Sequence, residues 1–402
     1  MDAISRRTFL QTAAGAATSC LAACKSAAPG GGGASLPRPC PPSAWHKHGI
    51  ILAATEPWED GQIQNFTSPA EPLKGGAWRF WYSVSGRRNR FHIAFAEGEP
   101  GGPMRKCPAQ CSPREAPDAP LGIGNLPEGW RPVQVIHLRL RDGRHRLYFW
   151  AHGEGILRYL AADSADGRRY RVGNPLRPVL YHPHDRAAHG VASPDGLLLH
   201  PRPDGDRPAD EPPASAGLIS NDATTVYQLA DGSFELYSVA LVPVPRGDPA
   251  YVPHDNAPGL VRVIDRYVSE DGLHFEARRR IIERDWQDPA DQQFYYLAVT
   301  RTPRGCVGML GHYRCQAQTM DLEWCFSRDG VSWERPCRSP WLPRGEPPAA
   351  DCYGIYAGQQ LVWRDGRWHL FYTGVNSAHN ERHSHGPPRQ VVMYASAATI
   401  WG

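Results

Sequence analysis

The sequence has almost no net charge. Its 44 Lys and Arg stand against 41 Asp and Glu, a formal balance of +3. Without a basic field there is no general means of holding a nucleic acid backbone, so no nucleic acid partner is expected. Helical periodicity is missing too. No stretch of about 15 residues repeats its apolar positions at 3.6-residue spacing, which argues against long helices. No GxGxxG opens a β-α-β unit and no GxxxxGK[ST] occurs, so no nucleotide cofactor is implied. G-x-S-x-G and H-E-x-x-H are also absent. No apolar run is long enough for a permanent bilayer span.

Glycine (40) and proline (39) make up about a fifth of the 402 residues, a turn-rich composition. Apolar residues are 41% of the chain, with 13 Trp and 16 Tyr, enough for a sizeable core. By length alone the chain is two to four small domains or one large repetitive one.

The first 24 residues read as an address. Arg6-Arg7, within Ser5-Arg6-Arg7-Thr8-Phe9-Leu10, precedes a small-residue apolar run from Ala13 to Ala23. This resembles a twin-arginine export signal. Leu21-Ala22-Ala23-Cys24 resembles a lipoprotein box, with Cys24 as the lipidated residue of an exported, periplasmic or envelope-anchored protein. Residues 25–44 are Gly/Pro/Ala-rich and read as a flexible tether. Residues 45–402 are then a single domain, expected to be monomeric and to meet a membrane only through the anchor. Without Cys20 and Cys24, eight cysteines remain, and an even number in an exported chain suggests disulfides. Cys107 and Cys111 lack a partner pair at ligand spacing, so no metal site is predicted.

Two turn patterns repeat. Asp142-Gly143, Asp231-Gly232 and Asp365-Gly366, with Gly75-Gly76 as a variant, each precede an apolar or aromatic strand. These are hairpin signals. Ser-x-Asp-Gly-x-x-aromatic occurs at Ser164–Tyr170, Ser269–Phe275 and Ser327–Trp333, each after a short strand. The Asp side chain can bond the turn backbone and Gly supplies positive φ, so these aspartates, with Asp142, Asp231 and Asp365, are assigned to structure. Similar strands begin at Phe91, Ile156, Leu260, Met320 and Val391, on average about 75 residues apart. The pattern predicts an all-β fold, a five-bladed β-propeller. A pair of β-sandwiches and a seven-bladed propeller are the alternatives. The Pro-rich stretches 98–129 and 181–217 are expected to be long loops.

Acidic residues just before the innermost strands would rim the central funnel of such a ring. They are Asp60, Asp222, Asp288, Asp291 and Asp351. Splitting a glycosidic bond requires one carboxyl group to protonate the leaving oxygen and another to activate water or attack carbon. Trp58-Glu59-Asp60-Gly61, Asn221-Asp222-Ala-Thr-Thr-Val-Tyr227, Asp288-Pro-Ala-Asp291-Gln-Gln-Phe-Tyr295, Phe326–Pro336 and Leu370–Gly374 together resemble the five-bladed propeller glycosidases that include arabinanases, β-xylosidases and invertase-like fructosidases. The resemblance implies hydrolysis of a furanosyl or pentosyl linkage, with Asp60 as general base or nucleophile and Asp222 tuning the acid. The sequence departs from that pattern where the acid should stand: the later-blade positions hold Asp288, Asp291 and Asp351 rather than a clear Glu.

Trp58, Trp81, Tyr82 and Tyr353 flank these acids and can stack on sugar faces. His152, His312 and His379 can hydrogen-bond sugar hydroxyls. No cofactor is required; a structural Ca2+ in the channel is compatible with the sequence but not demanded by it. A carbohydrate is the expected partner. The competing readings are a non-catalytic carbohydrate-binding propeller, a glycoside phosphorylase with an Arg/His phosphate pocket, and a polysaccharide lyase if His or Tyr occupies the funnel. A sialidase fits less well, because its Asp turns carry one more residue.

Overall fold

The structure is a computed structural model of the chain. It describes residues 38, 42–59, 61–64, 66–86, 91–109, 121–182, 217–380, 386–387 and 389–402. The chain divides into two units, 1–38 and 39–402, and the account below concerns the second. The export signal, Cys24, nearly all of the tether and Asp60 lie outside the described residues.

The described residues are almost entirely β-strand, an all-β fold, with only short 3-10 turns at Pro42–Ala44 and Lys74–Gly76. No described helix is long and apolar enough to cross a membrane. The strands follow one another as antiparallel meanders. The first comprises Gly61–Ile63 with Ala70–Pro72, then Trp78–Gly86, Phe91–Gly98 and Arg105–Pro108. The second is Arg131–Arg139, His145–Gly153, Ile156–Ser164 and Arg169–Val172. The third is Leu218–Ile219 with Thr225–Gln228, then Phe234–Pro243, Leu260–Ser269 and Glu276–Ile282. The fourth is Gln292–Thr302, Gly305–Arg314, Thr319–Ser327, and Trp333–Glu334 with Pro340–Leu342. The fifth is Gly354–Ala357 with Val362–Arg364, then Arg367–Val375, Gln390–Ala397 and, at its edge, the amino-terminal strand His46–Leu52. The fourth and fifth share one sheet, bridged by the parallel pair Met320 and Gly354.

Each meander exposes apolar faces it cannot bury alone, and consecutive meanders bury them against one another. Trp81 and Phe95 pack with Leu147 and Phe149. Tyr148 and Tyr159 pack with Val226 and Leu236. Tyr237 and Ile264 meet Phe294 and Leu310. Met309 and Trp324 meet Ile355 and Leu370. A fifth core closes the series, joining Leu52, Phe371 and Val392 to Phe80, Val84 and Ala94.

Both turn patterns land where their chemistry is used. The Asp-Gly and Gly-Gly turns join strands one and two of their meanders, with φ of +87° at Gly143, +98° at Gly232, +74° at Gly366 and +72° at Gly75. The Ser-x-Asp-Gly turns leave strand three. In each, the Ser hydroxyl accepts the Gly N–H, and the Asp Oδ1 accepts the next two backbone N–H groups at 2.7–2.9 Å. These bonds hold the Asp166 and Asp329 carboxyls below their ordinary range; at Asp271 they outweigh a burial that acts in the opposite sense. Two of the turns also dock on the preceding meander. Tyr148 Oη donates to Gly272 O at 2.7 Å, and Tyr237 Oη to Gly330 O at 3.2 Å.

Two expectations are corrected. The 98–129 insert is not wholly loop: Arg105–Pro108 is a fourth strand, and Gly122–Gly124 pairs in parallel with Arg169–Arg171. Cys107, Cys306, Cys315, Cys325 and Cys352 are free buried thiols rather than disulfide partners. Cys107, Cys306, Cys315 and Cys325 sit on strands or beside them as small hydrophobes in the inter-meander cores.

Candidate active site

The third meander's first strand is interrupted at Ser220-Asn221-Asp222. Ser220 N–H donates to Val239 O, while the Ser220 hydroxyl accepts the Asp222 N–H at 3.2 Å and donates to its Oδ2 at 2.7 Å. This local turn takes Asp222 out of the ladder. Its side chain is 12% exposed.

Arg262, on the meander's third strand, lies at the same end, because Leu241 pairs with both Leu218 and Arg262. Its side chain is 2% exposed and fully engaged. Nε meets Asp222 at 3.1 Å; one terminal nitrogen meets Asp255 at 3.1 Å and Gln293 Oε1 at 2.8 Å; the other donates to Asn256 Oδ1 at 2.6 Å. Both carboxylates share one rigid guanidinium fork, so their nearest oxygens are at most about 8.5 Å apart. Burial opposes ionisation of Asp255, but Arg262 and the Tyr313 hydroxyl, at 2.7 Å, hold its carboxyl below the ordinary range.

His379 completes the cluster from the segment after the fifth meander's second strand. Its Nδ1 is 2.9 Å from Tyr356 Oη; its Nε2 is 3.0 Å from Tyr295 Oη and 3.2 Å from Asn256 Nδ2. Because Asn256 Oδ1 faces the Arg262 guanidinium, its Nδ2 must donate to His379. The Nε2 of His379 is therefore the acceptor, and Nδ1–H donates to Tyr356. Tyr356 thus keeps its own proton to give. Burial, reinforced by Arg262, lowers the His379 pKa to about 4, so the ring is neutral near pH 7. Burial and the Asp222 charge raise the Tyr295 phenol well above its usual value. Tyr295 and Tyr313 also carry the Arg262 guanidinium on their faces, at 4.9 and 5.5 Å.

Of the acids expected at the funnel, Asp222 belongs to this cluster, with His379. Asp288, Asp291 and Asp351 each belong to a separate ion-pair group. Asp288 takes a bidentate pair from Arg335, both bonds 2.7 Å, plus Arg338 at 3.2 Å. Asp291 accepts Arg314 at 2.6 and 3.0 Å and Gln316 N–H at 3.2 Å. Asp351, 1% exposed, accepts Lys47 at 2.6 Å and the Tyr372 hydroxyl at 3.2 Å, fastening the amino-terminal strand to the fifth meander. His312 bonds Glu323 at 3.1 Å, which also holds Arg335.

The expected stacking residues are mostly core. Trp81 is fully buried and stacks on His137 at 4.7 Å. Tyr82 is buried and donates to Glu59 at 2.7 Å, which pairs with Lys106. Trp58 packs partly buried against the core between the fifth and first meanders. Tyr353 lines a separate cavity of about 460 Å3 with Arg344 and Asp321. Burial, with Arg131 nearby, lowers the pKa of half-buried His152 to about 4. Among the described residues no cluster of three His, Cys, Asp or Glu could hold a metal ion.

Sequence reading did not single out Asp255, Asn256, Arg262, Tyr295 and Tyr356. Tyr295 stood within a resembling stretch, and Arg262 within a strand recognised as apolar; the Asp255-Asn256 turn carried no signal.

No family model and no curated protein matches the sequence. Solved structures do match in fold. A structure described as a glycoside hydrolase aligns with a TM-score of 0.56 at 12% identity, covering 88% of this chain and 92% of that one. An N-acetylgalactosamine deacetylase from F. plautii, solved with blood group B trisaccharide, aligns at 0.51 and 14% identity, covering 90% and 95%. A structure from work on the GH130 family of mannoside phosphorylases, which contains glycoside hydrolases targeting beta-1,2 mannosidic linkages in Candida mannan, aligns at 0.50 and 10% identity, covering 92% and 96%. The chain therefore shares, over most of its length, a fold also used by carbohydrate-active enzymes.

Proposed function

We propose that the five meanders are the blades of a five-bladed β-propeller and that the chain is a glycoside hydrolase. The five inter-meander cores, the last joining the fifth meander to the first, support the ring. The reading of function rests on one observation: Asp222, a carboxylate shielded from water, stands in a cluster with Arg262, Tyr295, His379 and Tyr356 drawn from three meanders. Asp222 is one carboxylate of the reaction and Asp60 the other. Arg262 fixes Asp222 and sets a positive charge beside it, which suits a group that attacks carbon, activates water or steadies positive charge at the sugar ring. Tyr356 donates its free proton to a sugar hydroxyl or to the leaving oxygen. The substrate is an oligo- or polysaccharide, with a furanosyl or pentosyl linkage favoured. The enzyme works as a monomer, exported by the twin-arginine route and anchored through Cys24.

A second reading has one observation in its favour. A neutral His379 between two tyrosines is also the acid–base equipment of an eliminating polysaccharide lyase. Incubating the protein with neutral and uronate-containing polysaccharides and identifying the ends formed decides between them. Saturated reducing ends support hydrolysis; unsaturated uronate ends, detected by ultraviolet absorbance, overturn it in favour of elimination.

A further inference from the structure

A cavity of about 410 Å3 lies at the far end of the strands that carry the Asp222 cluster. Gln228 closes the strand that follows Asp222, and Arg301 lies six residues beyond Tyr295 on one strand, about 20 Å along it. Gln360, Trp363 and Trp368 also line it. Trp363 is 53% exposed, although it lies on a regular strand directly opposite Trp368. The two indoles are 5.2 Å apart with planes at 57°. Trp368 packs partly buried against the core beneath, so Trp363 presents its free surface to the cavity mouth.

Five large apolar side chains are exposed among the described residues, and Trp363 alone lines either described cavity. Around it are two amides and a guanidinium. Arg301 is held by Glu235 and by Cys306 Sγ at 3.2 Å, which fixes its position at the wall. Gln360 makes no side-chain hydrogen bond to another described residue. A sugar ring has one apolar C–H face and a rim of hydroxyls, and it matches an indole face bordered by amide and guanidinium donors. The volume falls within the range of small-ligand sites.

We propose that this cavity is a second, non-catalytic glycan site, in which Trp363 stacks on a sugar ring while Gln360 and Arg301 bond its hydroxyls. The proposal rests on the reading of the chain as glycan-active. The site would hold the protein on its polymer while bonds are cleaved at the opposite end.

The test is affinity gel electrophoresis of the mature chain in arabinan, xylan and mannan, with activity on a short oligosaccharide measured in parallel. Wild type is expected to be retarded by at least one polymer. Trp363→Ala should weaken that binding about tenfold. Gln360→Ala, which removes no side-chain hydrogen bond to another described residue, should weaken it several-fold. Both should keep wild-type activity on the short substrate. Asp222→Asn should lose activity and keep the retardation, and Trp286→Ala, which removes an exposed indole elsewhere, should change neither. Retardation unchanged in both Trp363→Ala and Gln360→Ala, or lost in Trp286→Ala instead, overturns this site and leaves the glycan reading standing. Activity without retardation of wild type by any of the three polymers likewise overturns the site alone. Neither retardation nor activity on any glycan overturns both.

Discussion

Replacing Arg262 by Met tests whether the central cluster is an electrostatic unit. The guanidinium is 2% exposed and serves Asp222, Asp255, Asn256 and Gln293 together. Met fills much of the same volume, so lost packing contributes little. What remains is a carboxylate at Asp255, 1% exposed, without its counter-charge, and a Gln293 oxygen left with the backbone N–H of residue 262 alone. Breaking a buried pair from one side costs about 3–5 kcal/mol. Asp222 is 12% exposed and can regain water, so it adds little to that figure. The penalty should depend on pH in a defined sense. In wild type, Arg262 holds the Asp255 carboxyl below its ordinary pKa. Without Arg262, burial dominates and the folded-state pKa rises above the unfolded value. The variant's deficit should therefore be largest at pH 8 and shrink toward pH 5 as Asp255 takes up a proton. Urea unfolding followed by tryptophan fluorescence at both pH values measures it. A loss below about 1 kcal/mol at pH 8, or an equal loss at both, refutes the reasoning.

Three further outcomes follow from the same structure. Asp351→Asn should lower stability by about 1–3 kcal/mol in urea unfolding, because Lys47 and Tyr372 lose an ionised acceptor, while activity per folded molecule stays at the wild-type level; a collapse of activity without a loss of stability would return Asp351 to the chemistry. Gly272→Ala should cost at least about 1–2 kcal/mol, since φ is +72° and an added Cβ meets Tyr148 Oη at 2.6 Å; an unchanged urea midpoint would contradict that docking role. His379 has a folded pKa of about 4, below its ordinary 6.5, so the unfolded chain alone binds its proton between those values. Its stabilising effect is therefore complete above pH 6.5 and declines on acidification, by at most about 1.4 kcal/mol per pH unit. His379→Gln should flatten the urea midpoint between pH 6.5 and 4.5, and an unaltered slope refutes the assignment.

The local parts of the fold were legible because their signals are local. Ser-x-Asp-Gly turns and Asp-Gly hairpins each close within a few residues, and the five strands noticed at Phe91, Ile156, Leu260, Met320 and Val391 are each the third strand of a meander. The short edge strand at Arg105–Pro108 was not legible, since its pairing partner rather than its composition makes it a strand. The acids show the same limit. Asp222 and Asp351 both precede strands and look alike in sequence, and what separates their surroundings is long-range. Lys47 reaches Asp351 from 304 residues away, whereas Asp222 faces Arg262 and Tyr295 across the cluster. Cysteines carry a similar ambiguity, because a buried thiol and a disulfide half are the same letter. Asp255 and Arg262 needed the fold to meet the tyrosines of the next meander.

The most direct test of the central claim is reducing-sugar release from a panel of arabinan, xylan and mannan oligosaccharides by wild type and by Asp222→Asn, with equal urea midpoints as the check on folding. The account predicts activity in wild type on at least one member and a loss of at least about a hundredfold in the variant. Equal release by the two proteins would contradict it.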